Sequence, residues 1–189
     1  MSMKRRLIVG ITGASGAIYG IRALEMLRGL EDIETHLIIS PAGKRTLVEE
    51  TGWKVAAVAA LADVEHRYTD LGASLSSGSF RTLGMLVAPC SVKTLSGIVN
   101  SYDDNLLVRA ADVCRKEGRR VVLMLRETPL HHGHVSLMLR ATESGVILMP
   151  PVPAFYARPK TIEEMVTQTV GRALDLFDLD VALVKRWTE

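Results

Sequence analysis

The sequence predicts a three-layer α/β/α sandwich built on a mostly parallel sheet, and two observations carry that prediction. Five unbroken apolar runs recur along the chain, and stretches of helical period fill the gaps between them. Strands covered on both faces read as continuous apolar runs rather than as alternation. A repeated strand-helix order places helices on both faces of a parallel sheet. The chain has 189 residues, 48% of them hydrophobic and 23% charged, which suits one domain spanning 1–189 with a core of its own.

Taken in order, "RLIVGI" at 6–11 opens the sheet. The basic start before it is followed by too short an apolar run for a secretory signal, because glycines interrupt. A helix follows at about 15–29, then the strand "THLIIS" at 35–40, then helices at 41–50 and 53–61. "VEHRY" at 64–68 is a short further strand, and "DLGASLSSGS" at 70–79 is a Gly/Ser-rich loop, ligand-facing or plain surface. The strand "MLVAPC" at 85–90 precedes helices at 92–99 and 104–117; "VVLMLR" at 121–126 precedes a helix at 132–144. "VILMPP" at 146–151 is the last strand, and a helix over 161–185 closes the chain. In it Ile162, Met165, Val166, Val170, Ala173, Leu174 and Phe177 form one apolar stripe.

Composition removes several function classes. A net charge of +2 gives no bulk attraction for nucleic acid. No stretch is long and apolar enough to span a bilayer. Cys90 and Cys114 form no spacing motif, which fits a reducing, cytoplasmic setting. His131, His132 and His134 have no Cys or Asp partners nearby and point different ways, so no metal is expected there.

In open parallel sheets ligands bind beyond the carboxyl ends of the strands, and the residues with chemistry do follow the apolar runs. "GITGASGAIYG" at 10–20 lets backbone approach a ligand closely and opens a helix whose free N–H groups suit an anion. Such a turn is also compatible with a simple tight turn. It does not have the G-x-G-x-x-G spacing, and the second strand ends in Ser40 rather than an acidic residue, which argues against a nicotinamide site. The Tyr156–Lys160 pair mimics a dehydrogenase dyad, but Pro159 lies inside it and breaks the helix that dyad needs. "PCSVKTLSGI" offers Ser91, Val92, Lys93 and Thr94 at a second helix start, a donor-rich turn or an ordinary cap. Arg109 and Lys116, seven residues apart, share a helix face. With Arg126, Tyr156 and Arg172 they would make an anion site if the fold brought them together.

Several long motifs in one order, "GITGASGAIYG", "SSGSFRTLGM", "PCSVKTLSGI", "NLLVRAADV", "RETPLHHGH" and "PPVPAFYARP", resemble the flavin prenyltransferases of the UbiX type, over nearly the whole chain. The resemblance implies a Rossmann- or flavodoxin-like fold. It implies transfer of a dimethylallyl group from dimethylallyl monophosphate to N5 and C6 of reduced FMN. The product, prenylated FMN, then serves a separate UbiD-type decarboxylase, with no metal required. It further implies that Gly13, Ala14, Ser15, Ser40, Ser91, Val92, Lys93, Thr94 and Arg126 hold FMN. Tyr156 and Arg172, assisted by Lys116 and Arg109, would hold the dimethylallyl phosphate. Ser15 and Glu127 would handle protons, and Trp187 would lie near the site. A homo-oligomer, commonly a dodecamer, with sites at subunit boundaries is expected. Two other readings stand beside it: an FMN-dependent decarboxylase acting directly on a substrate, and a non-catalytic FMN carrier. The "PASANT"-like motif of the related cysteinyl-peptide decarboxylases is "PCSVKT" here, which counts against the first. A carrier would not need the Arg109, Lys116, Tyr156 and Arg172 set.

Overall fold

A computed structural model describes residues 4–182 and 184–186; Trp187 therefore lies outside the described residues. Six strands form one sheet: β1 (Arg5–Ile11), β2 (Ile33–Ile39), β3 (Val64–His66), β4 (Gly84–Cys90), β5 (Arg120–Leu125) and β6 (Ile147–Leu148). Their order is β3-β2-β1-β4-β5-β6 and every pairing is parallel. The helices are α1 (Ala17–Leu27), α2 (Pro41–Glu50), α3 (Val55–Ala59), α4 (Val92–Val99), α5 (Leu106–Lys116), α6 (His132–Glu143) and α7 (Ile162–Asp175), with short 3-10 turns at Ser74–Ser76 and Phe155–Ala157.

The unbroken apolar runs have the meaning the sequence suggested. Successive strand residues point to opposite faces. Leu7, Val9 and Ile11 of β1 join Leu86 and Ala88 of β4 in a core completed by α1 and α7. Ile8 joins Met85, Val87 and Leu123 in a second core under α4 and α5. Both faces are covered, so both sets must be apolar. Helix starts follow local capping chemistry: Ser40, Ser91, Asn105 and Thr161 each accept a hydrogen bond from a first-turn N–H.

The structure departs from the sequence reading in two elements. The strand expected over 146–151 is only Ile147–Leu148, because Pro150 and Pro151 carry no N–H for a ladder. The last helix ends at Asp175, not near 185. Asp178 takes a left-handed conformation at φ 58°, and the chain turns back along α7. The buried Gln168 amide clamps the backbone of Lys185 from both sides, accepting from its N–H at 2.9 Å and donating to its carbonyl at 2.9 Å. Val184 packs over Gly171. An apolar tail folded onto a helix has the same composition as more helix, so period alone did not separate them. The Gly/Ser loop at 70–79 is a surface loop, pinned by Leu75 in the core and by Arg119, which donates to the Gly78 carbonyl at 2.6 Å.

Helix α1 lies close against the sheet at Gly20, where a Cβ would overlap the Ala88 carbonyl oxygen and the Ile11 side chain. Gly20→Ala is expected to cost about 2 kcal/mol, the usual scale for overpacking. For a chain of this length that is about 4–8 °C in thermal midpoint; an unchanged midpoint by calorimetry would show that α1 can retreat at no cost.

Candidate active site at the sheet switch point

The strand order reverses between β1 and β4: the chain winds outward through β2 and β3, then returns to the other side of β1. A crevice at the carboxyl ends of the strands is expected at such a reversal. Four strand ends meet there. β2 runs into Ser40, β1 into 12–16, β4 into 91–94, and β5 into Arg126 and Glu127.

These turns are fastened to one another. The Ser40 N–H donates to the Ile11 carbonyl at 3.0 Å, and the Arg126 N–H to the Cys90 carbonyl at 3.0 Å. Gly13 lies against Ala42 so closely that a Cβ would overlap the alanine methyl. The buried Thr12 hydroxyl donates to the Pro89 carbonyl at 2.7 Å and accepts the Ser91 N–H at 2.9 Å. The Ser40 hydroxyl caps α2 by accepting from the Gly43 N–H at 3.0 Å. The Ser91 hydroxyl caps α4 by accepting from the Thr94 N–H at 3.3 Å. Both serines are therefore caps; the Ser91 hydroxyl proton goes to Thr94 Oγ1 at 3.1 Å.

Helix α1 is capped differently. Gly16 precedes it at φ 105° and has no side chain to offer. The carboxylate of Glu50, at the end of α2, crosses to it and accepts from the Gly16 N–H at 2.7 Å and the Ala17 N–H at 3.3 Å. Burial pushes the Glu50 carboxyl up, but hydrogen bonds from the Ser15 hydroxyl and these two N–H groups, with the nearby Arg126 charge, hold it below the usual carboxylate range. Arg126 also opposes the effect of burial on the Tyr19 phenol, whose net shift is upward. Ser15 and Glu50 are thus directly paired, and the Arg126 charge is felt by both Glu50 and Tyr19. Glu50 and Tyr19 were not singled out from the sequence. Glu50 ends the helix "PAGKRTLVEE", where an acid looks like part of a solvated face; only the α2-to-α1 contact reveals it.

The model for the Flavoprotein family matches residues 1–173. A flavin prenyltransferase UbiX of Escherichia coli strain K12 is 58% identical over 185 residues, covering 97% of this chain and 98% of the relative. The chain belongs to this family. Among solved structures, UbiX (PadA1) in complex with FMN and dimethylallyl pyrophosphate is 48% identical, with a TM-score of 0.96 over 98% of each chain. A dodecameric FMN-dependent UbiX-like decarboxylase of Escherichia coli O157:H7 is 48% identical, with a TM-score of 0.95, covering 97% of this chain and 100% of that one. The family and the fold expected from the motifs are thus both found.

Set against the family's expected site, the single chain divides the residues. Gly13, Ala14, Ser15, Ser40, Ser91, Val92, Lys93, Thr94, Arg126 and Glu127 all lie on the four turns of the crevice. The exposed Glu127 carboxylate accepts from the Thr128 N–H at 3.0 Å. The other cations lie elsewhere. Arg109 and Lys116 are on α5, across the sheet from α1 and α7. Arg109 pairs with Asp103 at 2.9 Å, and Lys116 with its neighbour Glu117. Arg172 pairs with Asp175 near the end of α7 that approaches the first residue of β5, where Arg120 donates to the Leu176 carbonyl at 2.8 Å. That is the amino edge of the sheet, opposite the crevice. Tyr156 lies in the 3-10 turn after β6, as expected not in a helix with Lys160; the turn is tied to the tail by Lys185 Nζ, which donates to the Ala157 carbonyl at 3.1 Å. Among the described residues no group of three His, Cys, Asp or Glu could hold a metal, and no helix is long and apolar enough to cross a membrane.

Proposed function

We infer that the protein is a flavin prenyltransferase that joins the dimethylallyl group of dimethylallyl monophosphate to N5 and C6 of reduced FMN. The single observation behind this reading is the Ser15–Glu50 pair beside Arg126 at the switch-point crevice, in a chain 48% identical to a structure that holds FMN with a dimethylallyl phosphate ester. The crevice fits a flavin nucleotide. Gly13 and Ala14 admit it without a side-chain barrier, and the Ser40 hydroxyl donates to it. The first N–H groups of α4, which lack intrahelical acceptors, face its phosphate beside the exposed Lys93.

Reduced FMN supplies the nucleophile, so no protein nucleophile is needed. In that reaction the allylic C–O bond would break as a C–N5 bond forms, with inorganic phosphate leaving and the N5 proton given up. A proton returned to the allyl double bond would make its far carbon electrophilic. C6 would attack that carbon, and loss of the C6 proton would close the fourth ring with a net gain of C5H8. The protein's part is electrostatic and prototropic. Arg126 faces the developing anion, and Tyr156, Arg172, Lys116 and Arg109 clamp the departing phosphate. Ser15, backed by Glu50, and Glu127 move protons at the flavin.

Because one chain keeps Arg172 at the edge of the sheet opposite the crevice, a neighbouring copy must deliver it. An oligomer, a dodecamer like that of the similar structure, is therefore part of the proposal. Exposed apolar residues supply contact surface: Leu130, Val135 and Leu139 on and before α6, and Val152, Phe155 and Ile162 around Tyr156. The two cysteines are free and buried, in keeping with a cytoplasmic location. The product would pass to a UbiD-type decarboxylase.

The test is anaerobic incubation of the purified protein with reduced FMN and dimethylallyl monophosphate, with the pyrophosphate in a parallel arm. The expected result is a flavin heavier by one C5H8 unit, with an altered absorption spectrum, in the monophosphate arm. Recovery of unmodified flavin alone would overturn the assignment and leave a carrier. Carbon dioxide release from an added acid without flavin modification would favour the direct decarboxylase.

A further inference from the structure

We propose that Thr12 is a positioning residue that sets the distance and orientation between the two halves of the flavin cradle. The proposal rests on the flavin-binding reading above, and it concerns a residue no part of that reading uses.

Thr12 occupies the switch point itself. It is the first residue after β1, and its partners follow or end β4, the strand on the other side of the reversal. Only 1% of it is exposed. Its backbone N–H donates to the Pro89 carbonyl at 3.3 Å; its hydroxyl donates to the same carbonyl at 2.7 Å and accepts the Ser91 N–H at 2.9 Å. The hydroxyl is thus used in both directions, which fixes its rotamer and both neighbours. These contacts join residues 77 and 79 positions apart in the sequence.

The regular β1–β4 register ends at the pair Gly10 with Val87, and past it the Thr12 N–H still donates to the Pro89 carbonyl at 3.3 Å. Beyond that pair the Thr12 contacts are what hold the Gly13–Ser15 turn against the Ser91–Thr94 turn. They also consume the Ser91 N–H. The α4 donors left for a ligand are therefore those of Val92 and Lys93, and their direction is set by where Thr12 holds Ser91. An apolar group at position 12 would leave the part-buried Ser91 N–H without its acceptor and the Pro89 carbonyl with the backbone N–H of residue 12 alone. The two turns could then regain the lost partners only by moving together or admitting water.

The variants are Thr12→Val, which keeps the shape and loses the hydroxyl, Thr12→Ser, which keeps the hydroxyl, and Thr12→Cys, a near match to serine with a poor hydrogen-bonding group. The readouts are FMN dissociation constants by flavin fluorescence, the absorption spectrum of bound FMN, and the thermal midpoint of the apoprotein. We expect Thr12→Val to bind FMN about tenfold or more weakly with a shifted bound spectrum, Thr12→Ser to be within about twofold of wild type, and Thr12→Cys to fall between them. A merely structural role would lower the thermal midpoint and leave affinity and spectrum of the folded protein unchanged. That result, or equal FMN affinity in Thr12→Cys and Thr12→Ser, would overturn the proposal even if Thr12→Val does not fold. Failure of wild-type protein to bind FMN would instead overturn the functional reading, so the two failures are distinct.

Discussion

Glu50→Gln is expected to retain FMN and to form prenylated flavin at least about 100-fold more slowly than wild type, the scale on which a positioned proton-transfer group contributes. Gln keeps the length and an acceptor oxygen for the Gly16 and Ala17 N–H groups, so the cap on α1 survives. What disappears is a carboxylate able to take the Ser15 proton. Ser15→Ala should show the same phenotype, and the double variant should be little worse than either single, because the two act as one relay. Single-turnover flavin spectroscopy under anaerobic conditions reads this directly. Wild-type ring formation by Glu50→Gln would remove Glu50 from the mechanism. The same residue gives a pH signature. Its folded pKa lies below its unfolded value, so it contributes stability above the unfolded pKa, and that contribution is lost as pH falls through the folded one. Acid unfolding curves of Glu50→Gln should therefore fall less steeply below the ordinary glutamate range than those of wild type.

Arg172→Ala is expected to lose about 100-fold in turnover, the scale for removing one donor to a developing anion, and to recover when co-expressed with Glu50→Gln. The proposed site requires this. Glu50 lies at the carboxyl edge of the sheet and Arg172 at the amino edge of the same chain. A site that uses both, as proposed, draws them from different copies. With random assembly about a quarter of sites receive both intact residues, as follows from a heterologous interface. Mixed oligomers should thus show turnover far above either variant alone, read per site against wild type at equal flavin content. No recovery would mean that both residues serve one site within a chain, and that the chain rearranges from the conformation described above.

Legibility differed by the kind of signal. The sheet was legible because covering both faces of a parallel strand leaves a mark in every residue, as in "LIVGI" and "MLVAPC". The crevice residues were legible for a related reason. The switch point collects turns that directly follow strands, so Ser15, Ser40, Ser91 and Arg126 are each adjacent to an apolar run. The end of α7 was not legible, since the tail that folds back on it is equally apolar. Glu50 was not legible from the sequence. Its partners, the Gly16 and Ala17 N–H groups, lie 34 and 33 positions away.

By itself the sequence determined the layer architecture, the strand ends that carry the chemistry, and the family, because burial pattern and motif order are local and survive without coordinates. The tertiary structure alone decided that Glu50 caps α1 beside Ser15, that Thr12 ties β1 to β4, and that Arg172 lies at the edge of the sheet opposite Glu50. These are consequences of which surfaces meet across the sheet. No residue's neighbours along the chain specify that.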